Sequence, residues 1–151
     1  MGLGKTIQSL SLVLADVVRM EEDIGISRPT LIVCPVSVIG NWTKQVDSHF
    51  QEDSLTYQVL HGNDKSRQIK NINKYHITFT TYGTLSSIFH TARTSRIFTN
   101  SWRRVILDEA HIIRTVDTLT YQAALEINAD CRWCLTGTPI QNSVRLHFIP
   151  E

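Results

Sequence analysis

Met1-Gly2-Leu3-Gly4-Lys5-Thr6-Ile7-Gln8 opens the chain. Its glycines and Lys-Thr pair read as the end of a phosphate-binding loop, the G-K-T of G-x-x-x-x-G-K-[ST]. Each residue type suits an anion. Gly2 and Gly4 let backbone N–H groups turn toward it with no side chain in the way. A helix starting near Lys5 aims the positive end of its dipole at the same place. Lys5 can reach β- and γ-phosphates, and the Thr6 hydroxyl suits Mg²⁺. The candidate nucleotide-binding set is therefore Gly2, Leu3, Gly4, Lys5 and Thr6. The motif's opening small residue, and the strand that normally delivers the chain into it, would precede Met1. The expectation is a chain that begins inside a functional element, as a piece of a longer protein.

Outward from the loop, strand and helix signals alternate. Ile7, Leu10, Leu14 and Val17, joined by Val13 and Val18, form an apolar stripe that predicts a helix over 5–20. Glu21 to Gly25 and Arg28-Pro29 read as a loop. Residues 30–34, Thr-Leu-Ile-Val-Cys before Pro35, predict a strand buried on both faces. Ser37 is placed as the cap of a helix in which Val38, Trp42, Val46 and Phe50 recur every four residues. A weaker strand over 57–60 and a polar helix over 64–71 follow. Residues 77–81 are rich in β-branched and aromatic side chains and predict a strand. A short helix over 84–89 and an irregular surface loop over 91–100 come next. Then come a strand over 104–107, a helix over 118–127 and a buried strand over 132–135. Strands alternating with helices predict a single α/β lobe with a mostly parallel sheet flanked by helices.

Two further segments bear chemistry. Val105-Ile106-Leu107-Asp108-Glu109-Ala110-His111 is an apolar strand running into two carboxylates. It suits a Walker B element, in which Asp108 holds Mg²⁺ at the carboxyl end of the strand. Glu109 would then orient or deprotonate an attacking water as general base. Its bland alternative is a solvated acidic turn, which a phosphate loop in the same chain disfavours. The other segment is Leu135-Thr136-Gly137-Thr138-Pro139-Ile140-Gln141-Asn142, where hydroxyls and an amide follow a strand. Its alternative is an ordinary Gly-Pro turn.

Composition narrows the rest. The chain has 151 residues, 42% of them hydrophobic, enough for one core and too few for two ordinary domains. Lys+Arg number 15 against Asp+Glu 14, a formal net charge of +1. That excludes a disordered tail and a globally basic DNA binder, so nucleic-acid contact must come from local groups. No apolar run approaches the roughly 18 residues of a membrane span, and Met1–Gln8 lacks a secretory layout. Cys34, Cys131 and Cys134 read as reduced structural thiols, because the C-x-x-C has no second ligand pair for zinc. The histidines other than His111 are scattered without ligand spacing. Trp42, Trp102 and Trp133 read as core packing, Arg103-Arg104 as a solvated strand start, and the basic residues between Lys65 and Lys74 as a solvated helix face.

Taken together, these segments resemble one family closely, the SWI/SNF-type DNA-dependent ATPases of the helicase-like superfamily 2. M-G-L-G-K-T-I-Q is similar to their motif I and L-I-V-C-P-V-S-V-I-G-N-W (31–42) to motif Ia. T-T-Y-G-T-L-S follows the strand where the family has motif Ib. V-I-L-D-E-A-H (105–111) resembles motif II and L-T-G-T-P-I-Q-N-S (135–143) motif III. The pattern over 104–114 leans toward the branch that includes the helicase-like transcription factor. The resemblance implies a RecA-like P-loop lobe over 1–143, incomplete at its start, and a divergent tail over 144–151. It implies ATP and Mg²⁺ as cofactors, double-stranded DNA or chromatin as partner, and a nuclear setting, with no import signal legible. It makes Lys5 and Glu109 catalytic and gives Mg²⁺ to Thr6 and Asp108. It assigns coupling of the nucleotide site to His111, Thr136, Gly137 and Thr138. It sets Pro35, Ser37, Thr81 and Tyr82 near the DNA backbone. The second RecA-like lobe, which supplies arginine fingers in the family, is absent from this chain, so turnover by the chain alone is not expected. The alternatives are a non-catalytic remnant that binds nucleotide or a protein partner, and an RNA helicase lobe. The Cys34-to-Trp42 block disfavours the second.

Overall fold

At the centre of the sheet lies β1 (Thr30–Cys34), every residue of it buried. The computed structural model describes residues 4–24, 28–115 and 118–137. Gly2, Leu3, Thr138 and the 144–151 tail lie outside the described residues. The elements run α1 (Lys5–Ile24), β1, α2 (Val36–His49), β2 (Tyr57–Leu60), α3 (Lys65–Lys70), β3 (Ile77–Thr81), α4 (Tyr82–Thr91), α5 (Arg96–Thr99), β4 (Trp102–Asp108), α6 (Leu119–Leu125) and β5 (Ala129–Leu135). The strand order is β2-β3-β1-β4-β5, and every pairing is parallel. The expected parallel α/β sheet between helical layers is therefore the observed one.

Strand alternation builds two cores. Ile32, Cys34, Phe79 and Ile106 face one way and meet Leu10, Val13 and Val17 of α1 with Trp42 and Val46 of α2. Leu31, Val33, Val105 and Leu107 face the other way and meet Leu85 and Phe89 of α4, Ile97 and Phe98 of α5, and Tyr121 and Ala123 of α6. A fully buried Leu, Ile or Val contributes roughly 1.5–3 kcal/mol, so the apolar runs of β1 and β4 secure both layers at once. In a parallel sheet the carboxyl ends share one edge. Cys34, Thr81, Asp108 and Leu135 end their strands there, the edge where α/β folds gather ligands.

Several local expectations are corrected. α1 continues through Glu21 to Ile24, because Glu is a good helix former and no breaker occurs before Gly25. Ser37 does not cap α2. The helix starts at Val36, directly after Pro35, whose carbonyl accepts the Val38 N–H at 3.0 Å. α4 begins at Tyr82, two residues before the expected start, capped by the Thr81 hydroxyl, which accepts the Thr84 N–H at 3.0 Å. Residues 91–100 are more than a surface loop, since α5 buries Ile97 and Phe98. β5 is half-exposed, not buried, because it is a sheet edge among the described residues. Trp42 and Trp102 are core residues as expected, but Trp133 lies on that edge with its ring 5.0 Å from the Arg104 guanidinium.

Arg104 is the largest correction. It is 4% exposed, and its Nη2 donates to Asp16 Oδ2 of α1 at 2.6 Å. Arg103 Nε donates to the same oxygen at 3.2 Å and its Nη1 to Asp130 at 3.3 Å. Arg28 also pairs with Asp130. The sequence expected a solvated strand start; the strand instead ties α1 to the sheet by charge.

Candidate functional site: a nucleotide site at the carboxyl edge

Gly4 has φ +68°, in the left-handed region that favours glycine. Its carbonyl accepts the Gln8 N–H at 3.0 Å, the first turn of α1. The Cβ of any other residue would find only Gln8 Nε2, at 3.8 Å, so the backbone conformation, not crowding, calls for glycine. No acidic residue lies in that first turn. The positive end of the helix therefore stays unneutralised by its own side chains. Lys5 and Thr6 sit half-buried in the same turn. A Cβ built on Gly137 would lie 3.8 Å from Lys5 Nζ. The Lys5 ammonium thus reaches the chain just beyond β5.

Asp108 closes β4 and pairs with Leu135 across the sheet. Its carboxylate is held at both oxygens. Trp42 Nε1 donates to Oδ2 at 2.9 Å, and the Glu109 N–H donates to Oδ1 at 3.0 Å. Its backbone carbonyl accepts the Tyr82 hydroxyl at 2.7 Å. Burial, then the Asp108 carboxylate, push the Cys34 thiol up to about 12. The same two causes lead in raising the Tyr82 phenol. Glu109 follows with φ 50° and ψ 47°, a left-handed conformation that costs a non-glycine residue of the order of 1–3 kcal/mol. A 3-10 turn, Ala110–Ile113, buries Ala110 and Ile113 and anchors it. Glu109 remains half-buried, with Oε2 3.1 Å from His111 Nδ1.

This donor set fits a magnesium nucleotide. The ammonium and the helix N-terminus suit phosphates, while a hydroxyl and a carboxylate suit a hard cation. Among the described residues each Asp108 oxygen accepts one hydrogen bond, which leaves acceptor capacity.

Of the sequence-derived residues, the fold joins Lys5 to Gly137, Asp108 to Glu109, and Glu109 to His111. Thr136 is half-buried at the end of β5. Pro35 is half-buried, and Ser37 is exposed beside Val36. Thr81 and Tyr82 are both buried, with hydroxyls committed internally, Thr81 to Thr84 and Tyr82 to Asp108. Their hydroxyls are thus engaged inside the protein. Sequence reasoning missed the link from Trp42 to Asp108. The available signal was general, since a buried indole N–H needs an acceptor.

Comparison with known proteins points to one family. A family model described as the SNF2-related domain matches residues 1–148. The DNA repair protein RAD5B of Arabidopsis thaliana is 33% identical over 170 residues, covering 95% of this chain and 13% of that protein. The helicase-like transcription factor of Homo sapiens is 41% identical over 119 residues, covering 78% of this chain and 12% of that protein. A solved structure, the Sulfolobus solfataricus SWI2/SNF2 ATPase core in complex with dsDNA, aligns with a TM-score of 0.75 and 32% identity. That alignment covers 95% of this chain and 27% of the other. The chain spans about an eighth of the length of these curated relatives.

Proposed function

The chain belongs to the SNF2-related domain family, and from that premise we propose that it is the ATP-binding lobe of a DNA-dependent ATPase that translocates on double-stranded DNA in repair or chromatin remodelling. The proposal rests above all on one juxtaposition: Lys5 of α1 beside Gly137, two residues past the Leu135 that pairs with Asp108. Phosphate-binding and metal-binding chemistry share one edge of the sheet in this reading.

In this reading Lys5 and the start of α1, with Gly2, Leu3 and Gly4, hold the phosphates of ATP. Thr6 and Asp108 hold Mg²⁺, which when bound neutralises charge on the phosphates. Glu109 orients the attacking water and accepts its proton at a carboxylate oxygen. His111, fixed to Glu109, passes the state of that carboxylate to the segment Thr136–Thr138. Hydrolysis draws on an arginine presented across the cleft by a second lobe, an effect worth about 10³–10⁵ in rate. Translocation needs phosphate contacts rather than base readout, which a near-neutral lobe can supply locally. The surface around Pro35 and Ser37 is the proposed DNA contact. Beside Thr81, the Tyr82 and Gly83 N–H groups that open α4 are the groups on offer, since first-turn donors lack intrahelical partners and the Thr84 N–H is taken by Thr81. A nuclear setting goes with this role.

The test is binding of a fluorescent ATP analogue with Mg²⁺ to the wild type and to Lys5→Ala. Loss of a charge-assisted contact worth about 1.5–3 kcal/mol predicts roughly 10–100-fold weaker binding. Equal affinities overturn the reading.

A further inference from the structure

We infer that Trp42 is a positioning residue whose indole N–H sets the orientation of the Asp108 carboxylate, and so the affinity of the site for a divalent cation. The inference rests on the nucleotide-site reading above and adds a residue to it. An aspartate's terminal torsion is intrinsically soft. Here it is pinned, with Oδ2 on Trp42 and Oδ1 on the Glu109 N–H. The indole is itself immobile. Trp42 is 2% exposed, and its ring lies 6.1 Å from that of Phe79, which packs edge-on to Tyr57 at 5.7 Å. Tyr82 holds the Asp108 carbonyl from α4, in the layer on the opposite face of the sheet. The residue that ends β4 is therefore held from both helical layers, its carboxylate by Trp42 on one side and its backbone carbonyl by Tyr82 on the other.

Packing alone does not ask for this hydrogen bond. Trp102 shows the ordinary solution, its Nε1 donating to the Ile97 carbonyl at 2.8 Å. Trp133 lies against Arg104 on the sheet edge. The three indoles thus have three environments, and only that of Trp42 includes a carboxylate of the site. Partners that orient a metal-ligating carboxylate are typically worth 10–100-fold in metal affinity.

The experiment uses the whole chain, ¹⁵N-labelled at tryptophan, with ADP and MnCl₂ in place of Mg²⁺. The Trp42 indole signal, identified by its loss in Trp42→Phe, should broaden at lower Mn²⁺ than the other two. Trp42→Phe keeps an aromatic ring and removes the donor. It should raise the Mg²⁺ concentration for half-maximal nucleotide binding by 10–100-fold, leaving metal-free binding unchanged. A midpoint within about 3-fold of the wild type, or a Trp42 signal broadened no earlier than those of Trp102 and Trp133, overturns the inference. If Trp42→Phe does not fold, the line broadening of the wild type decides, with Trp42 identified by sequential assignment. Lys5-dependent nucleotide binding that ignores divalent cations removes the role of Trp42 and leaves the nucleotide reading standing. Absence of any Lys5-dependent binding removes both.

Discussion

Replacing Asp16 by asparagine removes one charge from a cluster that the fold has taken out of water. Asp16 Oδ2 lies 2.6 Å from Arg104 Nη2 and 3.2 Å from Arg103 Nε, and Oδ1 lies 3.3 Å from the exposed Arg19. The exposed partner contributes at most about 1 kcal/mol. Arg104 decides the magnitude. It is buried, and its Nε and Nη1 have no hydrogen-bond acceptor among the described residues, so Asp16 is its neutralising group. Breaking a buried pair from one side costs about 3–5 kcal/mol, set against a total stability of about 5–15 kcal/mol for a domain. The pH dependence has a definite sign. Burial raises the Asp16 carboxyl, but the hydrogen bonds and charges of Arg104 and Arg103 outweigh it and hold it below 3.8. A depressed carboxyl stabilises above its unfolded value, and that stabilisation is lost as pH falls through the folded value. Urea unfolding followed by circular dichroism should therefore show Asp16→Asn weaker than wild type by about 3–5 kcal/mol at pH 7. The gap should begin to close only below about pH 4. A deficit under about 1 kcal/mol at pH 7, or a gap that closes near neutrality, refutes the reasoning.

Thr81→Ala removes the cap of α4 and should lower stability by about 0.5–2 kcal/mol in thermal unfolding, with Thr81→Ser recovering most of the loss. Cys34, pushed up to about 12 by burial and by Asp108, should resist iodoacetamide at pH 8 in the native chain and react once urea unfolds it, as mass spectrometry reads directly.

The strands were the most legible part of the chain. β1, β2 and β3 have the boundaries that the apolar runs predicted, because Pro29 and Pro35 bracket β1 and polar turns bracket the others. Helix starts were less legible. Ser37 has the right chemistry for a cap, yet Pro35 turns the chain into α2 before it. What failed altogether was pairing across sequence distance. Nothing near Arg104 announces a carboxylate 88 residues earlier, so a strand-start arginine read as solvated. Trp42 read correctly as core, but its hydrogen-bond partner lies 66 residues later. Periodicity reports which face a side chain takes, not what waits there.

The approach of Lys5 to Gly137 has a consequence in time. Those residues are 132 positions apart, so the proposed phosphate corner closes one of the longest loops among the described residues. Contacts of such separation bear the largest closure entropy and form late in folding. At about 5–20 residues per second of synthesis, Lys5 leaves the ribosome roughly 7–26 s before its neighbour. Within that interval α1 has β1, α2, β3 and β4 to pack against, but not the chain beyond β5. Nucleotide bound at the proposed site would therefore assist only the late stages of folding.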